Sequence, residues 1–276
     1  MKSVRRFRRM LEHWQAMQIR TYAGSASFFL LLSLFPLMSL LLGILPRAGF
    51  SGEDLAALLL AAIPGELTGA FSLLLQALDA GSSRNLISLS TATLIVSASA
   101  GVKAILHGLN EVLRLPETRP YPLQLGLSLL CTLGVLVCIL VTLILNVWGK
   151  WLILLFPGRS ALRIALSELL EHSSFLTVVL LSAVFSLLYL LLPNRRTRLR
   201  RVIPGALAAA LIWMLFSLVF SFCVGRFGKY SRLYGSLASC VVLMLWLFSC
   251  MYILFFGALL NRFLQQRRKK RKKEVP

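Results

Sequence analysis

Residues 26–45 are twenty consecutive positions without a charged side chain. As a helix rising about 1.5 Å per residue, such a run is about 30 Å long, the thickness of a bilayer's hydrocarbon core. Lipid offers no partner for a free backbone amide, so an apolar run this long is stable there only as a helix. Five more runs behave alike: 85–102, 123–149, 173–192, 202–225 and 233–261. The chain is therefore expected to be all-α, a polytopic membrane protein with a bundle of six transmembrane helices. The spans are placed at 26–46, 85–105, 123–149, 173–192, 202–225 and 233–261. The second is the weakest, being short and rich in Ser and Thr. Composition agrees: with 58% hydrophobic and 14% charged residues, a chain of 276 residues has too little polar surface for a soluble domain. The first apolar run starts after about 25 residues and is long enough to span, so it reads as a retained helix rather than a cleaved signal.

Charge distribution sets the expected sidedness. Six spans place both termini on one side. Of the 30 Lys and Arg, 22 fall in the termini and in the loops after spans two and four, and 8 in the other three connections. The positive-inside bias then puts both ends in the cytoplasm. The net charge of +20 is explained by insertion and by attraction to anionic lipid, so nucleic acid is not expected as a partner.

Val4, Phe7, Leu11, Trp14 and Met17 recur every three or four positions, with Arg5, Arg6, Arg8 and Arg9 on other faces. Residues 1–25 thus suit a basic amphipathic helix in the inner headgroup layer. Residues 47–84 form an extracytoplasmic segment with two short apolar helices, interfacial or re-entrant, broken near Pro64. A short amphipathic helix is expected over 160–171, and residues 262–276 form a basic cytoplasmic tail.

Pro36, inside span one, removes a backbone donor, and the carbonyl it frees must be met by Ser33, Ser39, a neighbouring helix or water. A packing kink and a hinge beside a cavity are both open. In span two, Ser90, Thr93 and Ser97 belong to a set of hydroxyls too dense for a lipid-facing helix. They bond back to their own helix or line a wet cleft, while Ser97 and Gly101 permit close helix approach. Pro204 suits the first turn of span five. Asn110, just past span two, caps or braces that end.

No Lys, Arg, Asp or Glu lies near the middle of any span, which disfavours coupling through a buried carboxylate. His13, His107 and His172 are scattered, with no metal-ligand spacing, phosphate loop or nucleophile elbow. No catalytic residue, metal or cofactor is expected. The five cysteines, odd in number and without a CxxC, read as buried inert thiols.

Several stretches together resemble the YihY/BrkB family of bacterial inner-membrane proteins. They are AGSASFFLLLSLFP from Ala23, LHGLNEVLR from Leu106, LYLLLPNRRTRLRRVIPGALAAALIW from Leu188, and YSRLYGSLASCVVLMLWLFSCMYILFFGALLN from Tyr230. The resemblance implies six helices, cytoplasmic termini and an inner-membrane location. It implies no settled substrate, although transport of a lipid or other envelope component is suspected for relatives. Some members carry a ribonuclease BN label, for which this sequence has no metal cluster or acid–base pair. Where the family often has Glu after Gly-Ala near the end of span six, this chain has Leu259, so no role of that carboxylate carries over.

The loop between spans five and six is expected outside, yet it carries Arg226, Lys229 and Arg232 without an acid. With Tyr230 and Tyr234 at headgroup depth, these cations are candidates for an anionic ligand or lipid headgroup. They equally suit general headgroup contact or pairing with outer acids such as Glu168 and Glu171. Ser33, Pro36, Ser90, Thr93, Ser97 and Asn110 are the candidate cleft or hinge residues. The expected function is translocation of a lipid or other anionic envelope component. The alternative is a non-catalytic scaffold for envelope organisation, and a membrane hydrolase or ribonuclease ranks last. Anionic membrane lipids are the expected partners, and a homo-oligomer is compatible.

Overall fold

The structure, a computed structural model, describes residues 18–44, 84–134, 173–195, 197–227 and 231–273. They form six helices and no strand: α1 (Ile19–Ile44), α2 (Arg84–Leu113), α3 (121–134), α4 (Ser173–Leu191), α5 (Leu199–Phe227) and α6 (Ser231–Lys273). The all-α reading holds among the described residues. Most of the amphipathic segment 1–25, the connection 47–83, the remainder of span three, the segment 160–171, Cys138, Lys229 and Tyr230 lie outside them.

Among the described residues, three segments are long and apolar enough to cross a membrane: Thr91–Leu113, Leu199–Val224 and Cys240–Gln266. Ile19–Leu34 and Thr177–Leu191 are shorter apolar helices. The run expected to be weakest is the least apolar of the three. Beyond its end at Val102, eleven further helical residues extend the helix to Leu113.

α6 is the hub, packing against α1, α2 and α5. α1 lies along α2, and α4 lies along α5. Phe255 of α6 fills the space that a side chain on Gly108 of α2 would need, with Tyr22 of α1 beside it. Leu106, Leu109, Leu254 and Phe255 are completely or almost completely buried around that point. The outward face of α5 is the reverse. Leu207, Leu211, Leu215, Leu218 and Phe222 recur every three or four residues and are all exposed, Leu215 by 64%. In water such a stripe would be an aggregation site; in acyl chains it is solvated. Cys131 and Cys250 are buried as expected, but Cys223 and Cys240 are exposed, because they lie on outward faces of α5 and α6.

α1 remains helical through Pro36, which is buried. Ser33 does not compensate for it: its hydroxyl donates to the carbonyl of Leu30, at 2.7 Å. α5 begins at Leu199, so Pro204 falls in its second turn, not its first. A proline there leaves the carbonyl four residues back, that of Arg200, without its helical donor.

Candidate functional site

At one end of the bundle the connections α2–α3 and α4–α5 meet, and most described polar contacts between helices gather there. α2 stops because Arg114 turns left-handed, with φ 54°. That turn lets the Leu115 N–H reach back to the Asn110 carbonyl at 2.8 Å, a closure usually provided by glycine. The buried Asn110 side chain then braces both connections. Its Nδ2 donates to Glu117 Oε2 at 2.6 Å, and its Oδ1 accepts the Asn194 N–H at 2.9 Å. Arg119 extends its fork to the carbonyls just past the end of α4, donating to Leu192 O at 3.0 Å and Pro193 O at 2.7 Å. Asn194 completes the joint by donating to Pro116 O and Thr118 Oγ1, both at 2.9 Å.

A second joint holds α5 on α6. The Asn261 amide is buried beside Pro204. It accepts the Gly205 N–H at 2.8 Å and donates to Val202 O at 2.9 Å. The two helices touch backbone to backbone, because Gly205 and Gly257 face each other: a Cβ on Gly257 would stand 2.7 Å from Gly205 O. Tyr189 of α4 closes the third side, donating to Leu254 O at 2.6 Å.

Between these joints lies a cavity of about 220 Å³. Its walls come from α2, α4, α5, α6 and the α4–α5 connection, and all three candidate membrane-crossing segments contribute to it. Arg195, Thr197, Arg262, Gln265 and Gln266 supply its polar lining, beside Asn261 and Tyr189. Arg262 also donates from Nη1 to Val112 O at 2.7 Å, neutralising the exposed carbonyl end of α2.

None of the cleft or hinge residues expected from sequence lines this cavity. Ser33 and Ser97 are buried and bond within their own helices, Ser97 to Thr93 O at 2.7 Å. Thr93 is exposed and Ser90 is helical. Asn110 is the member brought into a polar cluster, as the brace of the first joint. Of the opposite-end candidates, Arg226 is exposed with its guanidinium 4.7 Å from the Phe222 ring centroid. Arg232 and Tyr234 fall in the first turn of α6. Sequence reading missed Asn261, Arg119 and Arg262. The available signal for Asn261 was an amide closing an apolar run that pairs, in an antiparallel neighbour, with an Ile-Pro-Gly.

Among the described residues no group of three His, Cys, Asp or Glu could hold a metal ion. The family model described as virulence factor BrkB matches residues 10–276. A putative ribonuclease-like protein of Bacillus subtilis is 30% identical over 250 residues, covering 90% of each chain. A UPF0761 membrane protein of Nitrosospira multiformis is 30% identical over 248 residues, covering 86% of this chain and 55% of its own. One of Aromatoleum aromaticum is 26% identical over 281 residues, covering 94% and 63%. The chain thus spans most of the Bacillus relative but less than two thirds of the other two. No solved structure matches it. With the match running over nearly the whole sequence and an apolar helical bundle behind it, the chain belongs to the BrkB virulence-factor family of membrane proteins.

Proposed function

We propose that this protein translocates an anionic lipid or other anionic envelope component across a bacterial inner membrane, with both termini cytoplasmic. The observation that carries the reading is the cationic cavity, walled by all three long apolar segments and opening where the bundle becomes charged. A purely structural bundle has no need to keep a polar cavity between its crossing helices. The Lys and Arg bias assigns that end to the cytoplasm. Arg226 stands 24 residues beyond the cavity residue Val202 along α5, at about 1.5 Å per residue about 36 Å away, near the opposite headgroups. With Lys229, Tyr230, Arg232 and Tyr234 it would receive or release the same anion. The ribonuclease-like name belongs to the Bacillus relative, and the reading proposed here is non-catalytic.

The test is leaflet exchange in proteoliposomes holding the full chain, with acyl-labelled phosphatidylglycerol or phosphatidylcholine and a membrane-impermeant quencher. Translocation exposes the inner-leaflet phosphatidylglycerol to quenching well before the phosphatidylcholine. If neither label exchanges faster than in protein-free vesicles, the proposal fails. The exposed apolar face of α5 favours the scaffold alternative, which gives no exchange but stable association through that face.

A further inference from the structure

We infer that the cavity at the basic end is a phosphate-binding site, with Arg195 and Arg262 as its charged donors. The inference deepens the translocation reading by naming the group recognised, and it rests on that reading only for the direction of traffic.

Donor accounting leads to it. Tyr189 and the Asn261 amide line the cavity but are committed to Leu254, Gly205 and Val202, so they form its frame. Arg262 uses Nη1 on Val112 O and keeps its other N–H groups. The Arg195 guanidinium makes no hydrogen bond to the described residues. The Thr197 hydroxyl oxygen is shut off from solvent and has no partner among the described residues. A buried hydroxyl in that state is ordinarily completed by water or a ligand. Gln265 and Gln266 add neutral donors, and among the described residues no carboxylate lines the cavity.

Electrostatics points the same way. Two guanidinium charges face the cavity. The first turn of α5, flanked by Thr197 and Val202, adds about half a positive charge, and the end of α2 at Leu113 about half a negative one. The helix ends cancel and the arginines decide the sign. Arginine forks match the tetrahedral oxygens of phosphate, and a phosphate has enough lone pairs for two guanidiniums, two amides and a hydroxyl. At about 220 Å³ the cavity is smaller than the roughly 300–1,000 Å³ of pockets that enclose a drug-sized ligand. It admits a headgroup or a small phosphate, and acyl chains remain outside. Leu113, Leu115, Val202 and Ala258 give the apolar wall along which such chains would leave.

The experiment measures thermal stability of the full chain in nanodiscs. One arm compares phosphatidic acid with diacylglycerol, which lacks the phosphate. The other adds inorganic phosphate or glycerol 3-phosphate against chloride at equal ionic strength. The expected result is a saturable rise in melting temperature with phosphate-bearing ligands. A rise with phosphatidic acid alone identifies a lipid headgroup, and a rise with the soluble anions identifies free phosphate. Arg195→Gln should weaken the apparent affinity by about tenfold, one lost charge-assisted contact, with Arg195→Lys in between. Arg195 is the chosen position because it is exposed and its side chain braces none of the joints described above. No saturable rise in either arm, or an unchanged affinity in Arg195→Gln, overturns the site. Binding without leaflet exchange would sink translocation and keep the site. Exchange that survives loss of binding would do the opposite.

Discussion

Gly205 and Asn261 are 56 positions apart, yet the glycine N–H ends on the asparagine Oδ1 at 2.8 Å. The contact falls one residue after Pro204, where the backbone ladder of α5 is interrupted, and the other half of the same amide meets Val202 O. A single side chain of α6 therefore ties down the α5 backbone on both sides of Pro204, although the carbonyl the proline itself frees, that of Arg200, is not among its partners. Asn261→Leu should remove both contacts and cost about 1–3 kcal/mol, read as a lowered melting temperature in detergent. Asn261→Asp retains the acceptor for Gly205 and loses the donor for Val202 while the carboxyl is ionised. Asn261→Asp should therefore be destabilised as well, through the lost contact to Val202 O. An unchanged melting temperature in either variant would contradict the geometry.

Glycine substitutions should divide sharply by position. A Cβ on Gly205 would run into Gly257 O and Asn261, none of which can yield without separating α5 from α6. Gly205→Ala is expected to cost about 3 kcal/mol or more. Gly126, on exposed α3, has nothing within 4 Å of its would-be Cβ. Gly126→Ala should stabilise by about 0.5–1 kcal/mol through helix entropy alone. Comparable melting shifts for the two variants would refute the close crossing.

Arg114 adopts φ 54° to end α2, a conformation an L side chain adopts at a cost. Arg114→Gly keeps the closure from Leu115 to Asn110 and relieves that cost, so it should raise stability by about 0.5–1 kcal/mol. A loss of stability would mean that the arginine side chain does more for this end than end the helix.

Asn110 and Glu117 meet at 2.6 Å across the turn. A double-mutant cycle of Asn110→Ala and Glu117→Ala should give a coupling of about 0.5–3 kcal/mol, because each single change already breaks the shared bond. Strict additivity would show that the joint is held by its other contacts alone.

The solvent of this protein could be read from its residues in order. Twenty positions without a charge force a helix in acyl chains wherever they fall, so span positions are a property of local chain. The extents were less legible. α2 continues to Leu113 and α6 to Lys273, because polar residues continue a helix as readily as apolar ones once it is under way. The bracing role of Asn110 was also legible, since a lone amide beyond an apolar run has few other uses. Its partners were not.

The cavity needed the folded chain. Arg119 reaches Pro193 across 74 positions, and Arg262 reaches Val112 across 150. The hydroxyls of Ser33 and Ser97, conspicuous in the sequence, bond inside their own helices and play no part in the cavity. Hydropathy is a sum over neighbours along the chain, so a sequence determines it alone. Which cations share a cavity, and which donors there are still free, depends on distances that exist only once helices have chosen their neighbours.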